Sequence, residues 1–225
     1  GEKIWVKTLN GTISDVAESM TKTNDGGFVV TGYSYSFGGG DADIILVKFN
    51  SSGEMTWTKT LNGTGFDSGN SIIETNDGGL VVTGYSQSYG DADQDIIVIK
   101  INSSGEMTWT KTLNGTNSDS GNSIIETNDG GLVLTGSSSS YGVGGSNLIL
   151  IKLNSSGELI WAKTLFGASN SNGASVIETN DGGFVLTGSS SSYGGSDYDI
   201  ILIKTDNEGE KRDVKGINFG HGYSG

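Results

Sequence analysis

Several residue types that build specialised sites are missing or nearly missing from this sequence of 225 residues. There is no cysteine, which excludes disulfides, thiolate zinc sites and cysteine nucleophiles. Histidine occurs once, at His221, and arginine once, at Arg212, so neither a multi-histidine metal site nor an arginine cluster for phosphate is expected. Apolar runs stay well short of the roughly 18 residues that a membrane-spanning helix needs, so no membrane span is predicted.

Positive charge is also scarce. Lysine and arginine total 13 against 26 acidic residues, a formal net charge of −13. Nucleic-acid binding depends on neutralising phosphates with cations, so the chain is predicted to bind no nucleic acid. Proline is absent too, whereas glycine reaches 38 residues. Apolar residues rich in valine and isoleucine come in dense runs between Gly, Ser and Thr, which predicts an all-β fold with many turns rather than disorder.

One unit of 52 residues recurs four times without an insertion or deletion. A Gly-Glu pair opens each unit and recurs at Gly1, Gly53, Gly105, Gly157 and Gly209. A tryptophan keeps the same spacing at Trp5, Trp57, Trp109 and Trp161. The sequence therefore predicts one domain of four tandem repeats, 1–52, 53–104, 105–156 and 157–208, with residues 209–225 as a degenerate fifth start.

Each unit contains four short runs with strand character, and the second unit shows them clearly. Asn76-Asp77-Gly78-Gly79 separates Ser71–Thr75 from Leu80–Ser86, and Asp-Gly between apolar runs is a strong hairpin signal. Ile96–Asn102 follows a loop and is apolar on both faces, as in a strand between two sheets. Met107–Leu113 alternates like a half-buried edge strand. The short connections favour antiparallel neighbours.

A four-stranded sheet with two partly apolar faces must stack on copies of itself, either radially as in a β-propeller or linearly as in a solenoid. Four strands in about 50 residues fit a propeller blade better than a β-helix coil. The predicted fold is therefore all-β and β-propeller-like, with four 52-residue, four-stranded antiparallel blades. Ile4–Leu9 and the tail at 210–219 compete for the fourth-strand slot of the last blade. Either the tail stays loose or one strand pairs with another copy.

The repeated motif resembles that of a known group of proteins. It runs from Asp77-Gly78-Gly79 to Thr83-Gly84, then through Asp95–Lys100 and a Gly-Glu turn to Trp109–Thr112, with equivalents in every unit. This pattern resembles the tandem β-propeller repeats of secreted and cell-surface proteins of bacteria and archaea, relatives of the pyrroloquinoline-quinone-type and kelch-type blades. The resemblance covers residues 1–208 and implies a propeller architecture, but propellers host many activities and no particular function follows.

The four tryptophans have two interpretations. One exposed ring per blade is suited to stacking on sugars, as in propeller lectins. A tryptophan at this position also fills the gap between adjacent blades, and Trp109 shares a strand face with Met107 and Leu113. Blade packing is the favoured interpretation.

Acidic loops and turns are the candidate metal sites. Asp91, Asp93 and Asp95 place three carboxylates two residues apart in a Gly-rich loop, a pattern that suits calcium. The other units do not repeat it, so a solvated acidic loop is favoured. The Asn-Asp-Gly-Gly turns also offer oxygen ligands, but hairpin geometry explains them. No cofactor is predicted, and calcium is the one metal considered.

Six Asn-x-Ser/Thr sequences at predicted turns or strand ends are candidate glycosylation sites: Asn10, Asn50, Asn62, Asn102, Asn114 and Asn154. Catalysis has little support in the sequence. His221 lies near Ser224 in a Gly-rich tail without a scaffold, and nothing marks two carboxylates as sharing a cleft.

The sequence therefore predicts a non-catalytic structural or interaction protein that is extracellular or on a prokaryotic cell surface. A more specific hypothesis is self-assembly into a dimer or filament, in which Ile4–Leu9 or the 210–219 tail completes a blade of another copy. The alternative is a carbohydrate-binding propeller that uses the tryptophans and the Asp loops. The expected partners are other copies of the chain, or surface proteins and glycans.

Overall fold

The computed structural model describes residues 4–91, 93–165, 170–191 and 197–216. Within these ranges the chain forms sixteen β-strands, and no helix is assigned. A helix long and apolar enough to cross a membrane is accordingly not found in the described part of the chain.

The strands form four sheets of four antiparallel strands each, in which the spatial order follows the chain order. The first sheet contains β1 (Asp15–Lys22), β2 (Phe28–Ser34), β3 (Asp43–Phe49) and β4 (Met55–Leu61). The second contains β5 (Asp67–Glu74), β6 (Leu80–Ser86), β7 (Asp95–Ile101) and β8 (Met107–Leu113). The third contains β9 (Asp119–Glu126), β10 (Leu132–Ser138), β11 (Asn147–Leu153) and β12 (Leu159–Thr164). The fourth contains β13 (Ser171–Glu178), β14 (Phe184–Ser190), β15 (Asp199–Thr205) and β16 (Lys211–Gly216).

The chain divides into two compact units, Gly1–Thr116 with the first two sheets and Asn117–Gly225 with the other two. Within the first unit, β5 packs on β1, β2 and β3, and the core includes Val29, Ile44 and Ile97. Within the second unit, β13 packs on β9, β10 and β11, and its core includes Leu148 and Phe184. Each unit therefore buries the apolar faces of its sheets against each other, as the repeat pattern predicts.

In the second sheet, burial differs between the third and fourth strands as their sequences predict. Every residue of β7 is buried, whereas β8 begins with two exposed residues and is otherwise half-buried. A strand that is apolar on both faces lies inside the stack, and an alternating strand lies at the sheet edge. The sequence pattern alone therefore predicted the burial of both strands.

The fourth strand of each sheet comes from the start of the following 52-residue repeat. The fourth sheet takes Lys211–Gly216, from the degenerate fifth start, while residues 4–14 form no strand. Because β15 and β16 are joined by a turn of a few residues, the tail closes this pairing at a far smaller entropy cost than the distant Ile4–Leu9 segment. The fourth sheet is completed within one chain, so the predicted strand exchange between copies is not needed to complete it.

A lysine on the third strand of each sheet forms an ion pair with the hairpin between the first two strands. The pairs have Nζ–Oδ1 distances of 2.6 to 2.8 Å: Lys48–Asp25, Lys100–Asp77, Lys152–Asp129 and Lys204–Asp181. Asp77 also accepts hydrogen bonds from Thr75 Oγ1 (2.6 Å) and the Gly79 N–H (2.9 Å). The hydrogen bond from Lys100, followed by that from Thr75, lowers the pKa of Asp77 to about 2. Each Asn-Asp-Gly-Gly turn is therefore held by hydrogen bonds and an ion pair to residues of its own sheet.

A β-bulge interrupts the first strand of each sheet. The extra residues are Glu18, Asn70, Asn122 and Ala174, each opposite the Thr-Gly pair of the second strand. The bulge brings a backbone carbonyl against that glycine: a Cβ on Gly84 would lie 1.8 Å from the Ser68 carbonyl oxygen. The repeated Thr-Gly of the sequence motif is thus a consequence of the bulge, which also aims the extra side chain away from the regular alternation.

Candidate functional site

Four aromatic side chains of the first unit meet at the end of the sheets where β2 and β6 finish and β5 begins. We call Tyr33, Tyr35, Phe66 and Tyr85 the aromatic cluster. Phe66 is central, with its ring centroid 5.0 Å from Tyr33, 5.9 Å from Tyr35 and 5.8 Å from Tyr85. The Phe66 and Tyr85 rings are stacked, whereas Tyr33 and Tyr35 meet edge to face at 6.1 Å. These geometries are the favourable ones for aromatic pairs.

Backbone pairing explains why the rings meet. Tyr33 lies opposite Val16 in β1, and Tyr85 lies opposite Ser68 in β5. The Phe66 carbonyl accepts a hydrogen bond from the Gln87 N–H at 3.1 Å, so the segment that enters β5 is held against the end of β6. Packing of β5 on β2 then brings residues from the two sheets together.

The most exposed ring of the cluster is Tyr35, at 39%. The other three rings are half-buried and contact one another or Tyr35. An aromatic ring that its neighbours hold in one orientation can contact a ligand with little loss of conformational entropy. The cluster therefore presents Tyr35 as a supported, solvent-facing ring.

Two carboxylates lie near the cluster. The pKa of the Tyr85 phenol is raised, mainly because the phenol is partly buried. Electrostatic repulsion from Tyr33, Glu18 and Asp67 acts in the same direction. Glu18 is the exposed bulge residue of β1. Asp67 is fully buried and accepts hydrogen bonds from Ser86 Oγ (2.5 Å) and Ser88 Oγ (2.6 Å). Asp67 is thus part of the scaffold, and Glu18 is the carboxylate that solvent reaches.

The aromatic cluster departs from the repeat. The residues equivalent to Tyr33 and Tyr85 in the other two repeats are Ser137 and Ser189, and those equivalent to Phe66 are Ser14, Ser118 and Asn170. Residues needed for the sheets recur in all four repeats, so an aromatic group confined to the first unit has another cause. Sequence reasoning missed this cluster because it examined the residues that recur. A comparison of the repeats for positions that differ would have found it.

The structure places the tryptophans against turns and cores. Trp57 packs on the core of the first unit, and a Cβ on Gly105 would lie 3.2 Å from its ring. Trp161 packs on the core of the second unit, 6.1 Å from Phe184. Trp109 is half-buried on β8, and Trp5 is 47% exposed beside Gly53. Tight approach of a ring to a glycine turn is the geometry of packing between neighbouring sheets.

The acidic loop predicted for calcium is organised around one buried carboxylate. Asp95 is 1% exposed, and its oxygens accept hydrogen bonds from the N–H groups of Asp91 (3.0 Å) and Gly115 (2.8 Å). Asp91 and Asp93 are exposed. Among the described residues, no three carboxylates or histidines come together as a metal-binding group. Asp95 ties two loops together in the way that Asp43 does in the first sheet, where it accepts from Gly39 and Gly63.

The six glycosylation candidates fall into two structural groups. Asn50, Asn102 and Asn154 hold the turn between the third and fourth strands. For example, the side-chain Oδ1 of Asn102 accepts a hydrogen bond from the Glu106 N–H at 2.9 Å, and its side-chain Nδ2 donates to Glu106 Oε2 at 2.8 Å. Asn10, Asn62 and Asn114 are exposed outside the strands. His221 and Ser224 lie outside the described residues.

An apolar cavity of about 410 Å³ lies between the N-terminal segment and the first sheet. Its lining includes Trp5, Phe28 and Phe49, and its charged residues are Lys7 and Asp15. Ligand sites usually combine an apolar wall with several convergent polar groups. The cavity offers few, so the aromatic cluster is the stronger candidate site.

Comparison with known proteins identifies distant sequence similarity and clear similarity of fold. No family model matches the chain. A curated protein, the regulatory protein FlaEY of Caulobacter vibrioides, is 25% identical over 163 residues, which are 62% of this chain and only 17% of that protein. This likeness is too partial to define a family.

The similar solved structures are larger than this chain. The α-L-arabinofuranosidase GH93 of Fusarium graminearum, solved with arabinobiose, aligns with a TM-score of 0.57 and 11% identity over 88% of this chain and 64% of the enzyme. A GH43_12 protein from a capybara gut metagenome aligns with a TM-score of 0.52 and 14% identity over 90% of this chain and 41% of its own. A Bacteroides caccae protein of unknown function aligns with a TM-score of 0.55 and 14% identity over 89% of this chain and 66% of its own.

These likenesses confirm the predicted fold class: the chain is all-β and β-propeller-like, with four four-stranded antiparallel sheets. They also correct two predictions from the sequence. The expectation of a non-catalytic structural protein, and with it the expectation that the chain is not an enzyme, is wrong, because similar solved structures include carbohydrate-active enzymes. Both expectations relied on repeated residues, and repeated residues are those that build the scaffold.

Proposed function

We propose that the protein is carbohydrate-active and that its first unit binds a glycan on the aromatic cluster. The observation that carries this proposal is the confinement of the cluster to the first unit, where Tyr35 contacts the rings of Tyr33 and Phe66 and Phe66 in turn stacks on Tyr85. Carbohydrate binding was the alternative interpretation of the sequence, and the proposal assigns it to the tyrosines of the aromatic cluster rather than to the tryptophans.

The chemistry of a sugar suits this cluster. A sugar ring has an apolar C–H face and a rim of hydroxyls, and tyrosine combines an apolar ring with a hydroxyl that donates and accepts hydrogen bonds. The bulge residues Glu18 and Asn70 add a carboxylate and an amide on the adjacent first strands. A site with an apolar wall and a few polar groups is typical of small-ligand recognition.

The similar solved structures suggest the first ligands to test. One is named for its action on α-L-arabinofuranosides and was solved with arabinobiose. Arabinan and arabino-oligosaccharides are therefore suitable probes.

The proposal is tested by titrating arabino-oligosaccharides and a wider glycan panel into the protein by calorimetry. Tyr35→Ala is expected to weaken binding at least about tenfold, because it removes the exposed ring. Tyr141→Ala is the matched control, since Tyr141 is 48% exposed in the other unit. Thermal unfolding of both variants establishes that they fold. Equal affinities for Tyr35→Ala and the wild-type protein, or no binding across the panel, would overturn the proposal.

An extracellular or cell-surface location is part of the same proposal. The repeat motif resembles that of propellers of secreted and cell-surface proteins. Fractionation of cells that express the complete natural protein tests it, and recovery in the cytoplasm alone would contradict it.

A further inference from the structure

Glu18 owes its position to an irregularity in β1. It is the extra residue of the bulge, placed between Ala17, which lies opposite Gly32, and Ser19, which lies opposite Thr31. Ser19 Oγ accepts a hydrogen bond from the Ile72 N–H at 3.4 Å, so β1 at this point adjoins the first strand of the second sheet. Bulges re-aim side chains and are frequent beside functional sites. Glu18 is exposed and lies two residues along β1 from Val16, the residue opposite Tyr33 of the aromatic cluster.

The equivalent bulge residues show that a glutamate is not needed for the fold. They are asparagine in the next two sheets and Ala174 in the fourth. The bulge and its facing glycine therefore form with a carboxylate, an amide or a methyl group. Among the four bulge positions, only that of the first sheet, beside the aromatic cluster, holds a glutamate.

Two negative side chains lie near the cluster. Glu18 and the buried Asp67 are negative, and both act on Tyr85. Lys48 and Lys100 form ion pairs with the hairpins at the opposite end of these sheets. An anionic ligand approaching Tyr35 would meet an exposed carboxylate, whereas a neutral ligand with hydroxyls would meet a hydrogen-bond acceptor.

We infer that Glu18 sets the charge preference of the glycan site: it accepts hydrogen bonds from the hydroxyls of neutral glycans and repels acidic glycans such as uronic-acid polymers. The inference rests on the proposed function of the aromatic cluster. It goes beyond that function because it names the class of glycan and the residue that selects it.

The test compares a neutral polymer, arabinan, with an acidic one, polygalacturonate, by affinity electrophoresis and calorimetry. Wild-type protein is expected to bind arabinan and not polygalacturonate. Glu18→Gln should weaken arabinan binding roughly tenfold, since a hydrogen bond to a charged acceptor is replaced by a neutral one. Glu18→Lys should bind polygalacturonate, and this gain should decline as salt is added. Glu208→Gln, an exposed glutamate in the turn before β16, is the control and should behave as wild type.

The outcomes separate this inference from the function on which it rests. Arabinan binding that Tyr35→Ala abolishes and Glu18→Gln leaves unchanged would overturn the role of Glu18 alone. Wild-type binding of polygalacturonate as tight as that of arabinan would also overturn it. Absence of binding to either polymer and to the wider glycan panel would instead overturn the proposed function.

Discussion

At the scale of single residues, the glycine in the middle of each second strand is set by a backbone contact. Gly32, Gly84, Gly136 and Gly188 each face a carbonyl of the bulged first strand, and a Cβ would lie 1.8 to 2.0 Å from that oxygen. A backbone atom cannot move aside like the end of a flexible side chain. The strand therefore requires glycine here in spite of its low strand propensity.

Gly84→Ala is accordingly expected to lower the free energy of unfolding by about 1–3 kcal/mol, because β5 and β6 must separate to admit the methyl group. Urea unfolding at pH 7 measures the change. Gly39→Ala is the matched control, since a Cβ on Gly39 would meet nothing within 4 Å. A Gly84→Ala protein as stable as Gly39→Ala would contradict the assigned role of the bulge.

At the scale of elements, the lysine on each third strand fixes the hairpin that precedes it. The Lys100 side chain is 11% exposed and that of Asp77 is 65% exposed, so a buried cation is held by a carboxylate at the surface. The pKa of Asp77 falls from 3.8 to about 2. A carboxyl whose pKa is lower in the folded state adds stability above its unfolded pKa, and this contribution disappears as the pH falls through the folded value.

We therefore expect stability to decrease as the pH falls from about 4 to about 2, through loss of ionised Asp77 and its equivalent Asp129. Asp77→Asn should destabilise the protein most at pH 7, and its difference from wild type should shrink toward pH 2. Urea unfolding at several pH values measures this trend. Asp91→Asn removes an exposed carboxylate that forms no ion pair in the described part of the chain. This control substitution should change the free energy of unfolding little at any of these pH values. A pH-independent effect of Asp77→Asn would argue against the ion pair.

At the scale of the whole molecule, every four-stranded sheet is completed by a segment from the next repeat. The fourth sheet depends on Lys211–Gly216, whose sequence is a poor match to the repeat. Without it, the backbone of Asp199–Thr205 would form an open sheet edge, which invites pairing with other chains.

A chain that ends after Asn207 is therefore expected to unfold at a lower temperature and to aggregate. A chain that ends after Gly216 retains β16 and is expected to behave like the full sequence. Light scattering during thermal unfolding compares the two. Equal behaviour of the two truncations would indicate that β16 contributes nothing to the fourth sheet.

The scaffold was predictable from sequence because each of its parts is local and repeated. The turn at Asn76–Gly79, the apolar run at Ile96–Asn102 and the alternation at Met107–Leu113 each reflect neighbours within one repeat. The candidate site was not predictable in this way. Its rings come from the end of β2, the segment before β5 and the end of β6, and no sequence spacing relates Phe66 to Tyr33.

The sequence by itself determined four equal sheets, their antiparallel order and their acidic character, because hydrophobic period and turn chemistry act over a few residues. Only the tertiary structure decided which segment completes the fourth sheet. It also showed that the Thr-Gly pair of each second strand lies opposite a β-bulge. It also decided that Glu18 lies beside an aromatic cluster. These features depend on contacts between strands that are distant along the chain, and the packing of β5 on the first sheet is what brings Phe66 to Tyr33.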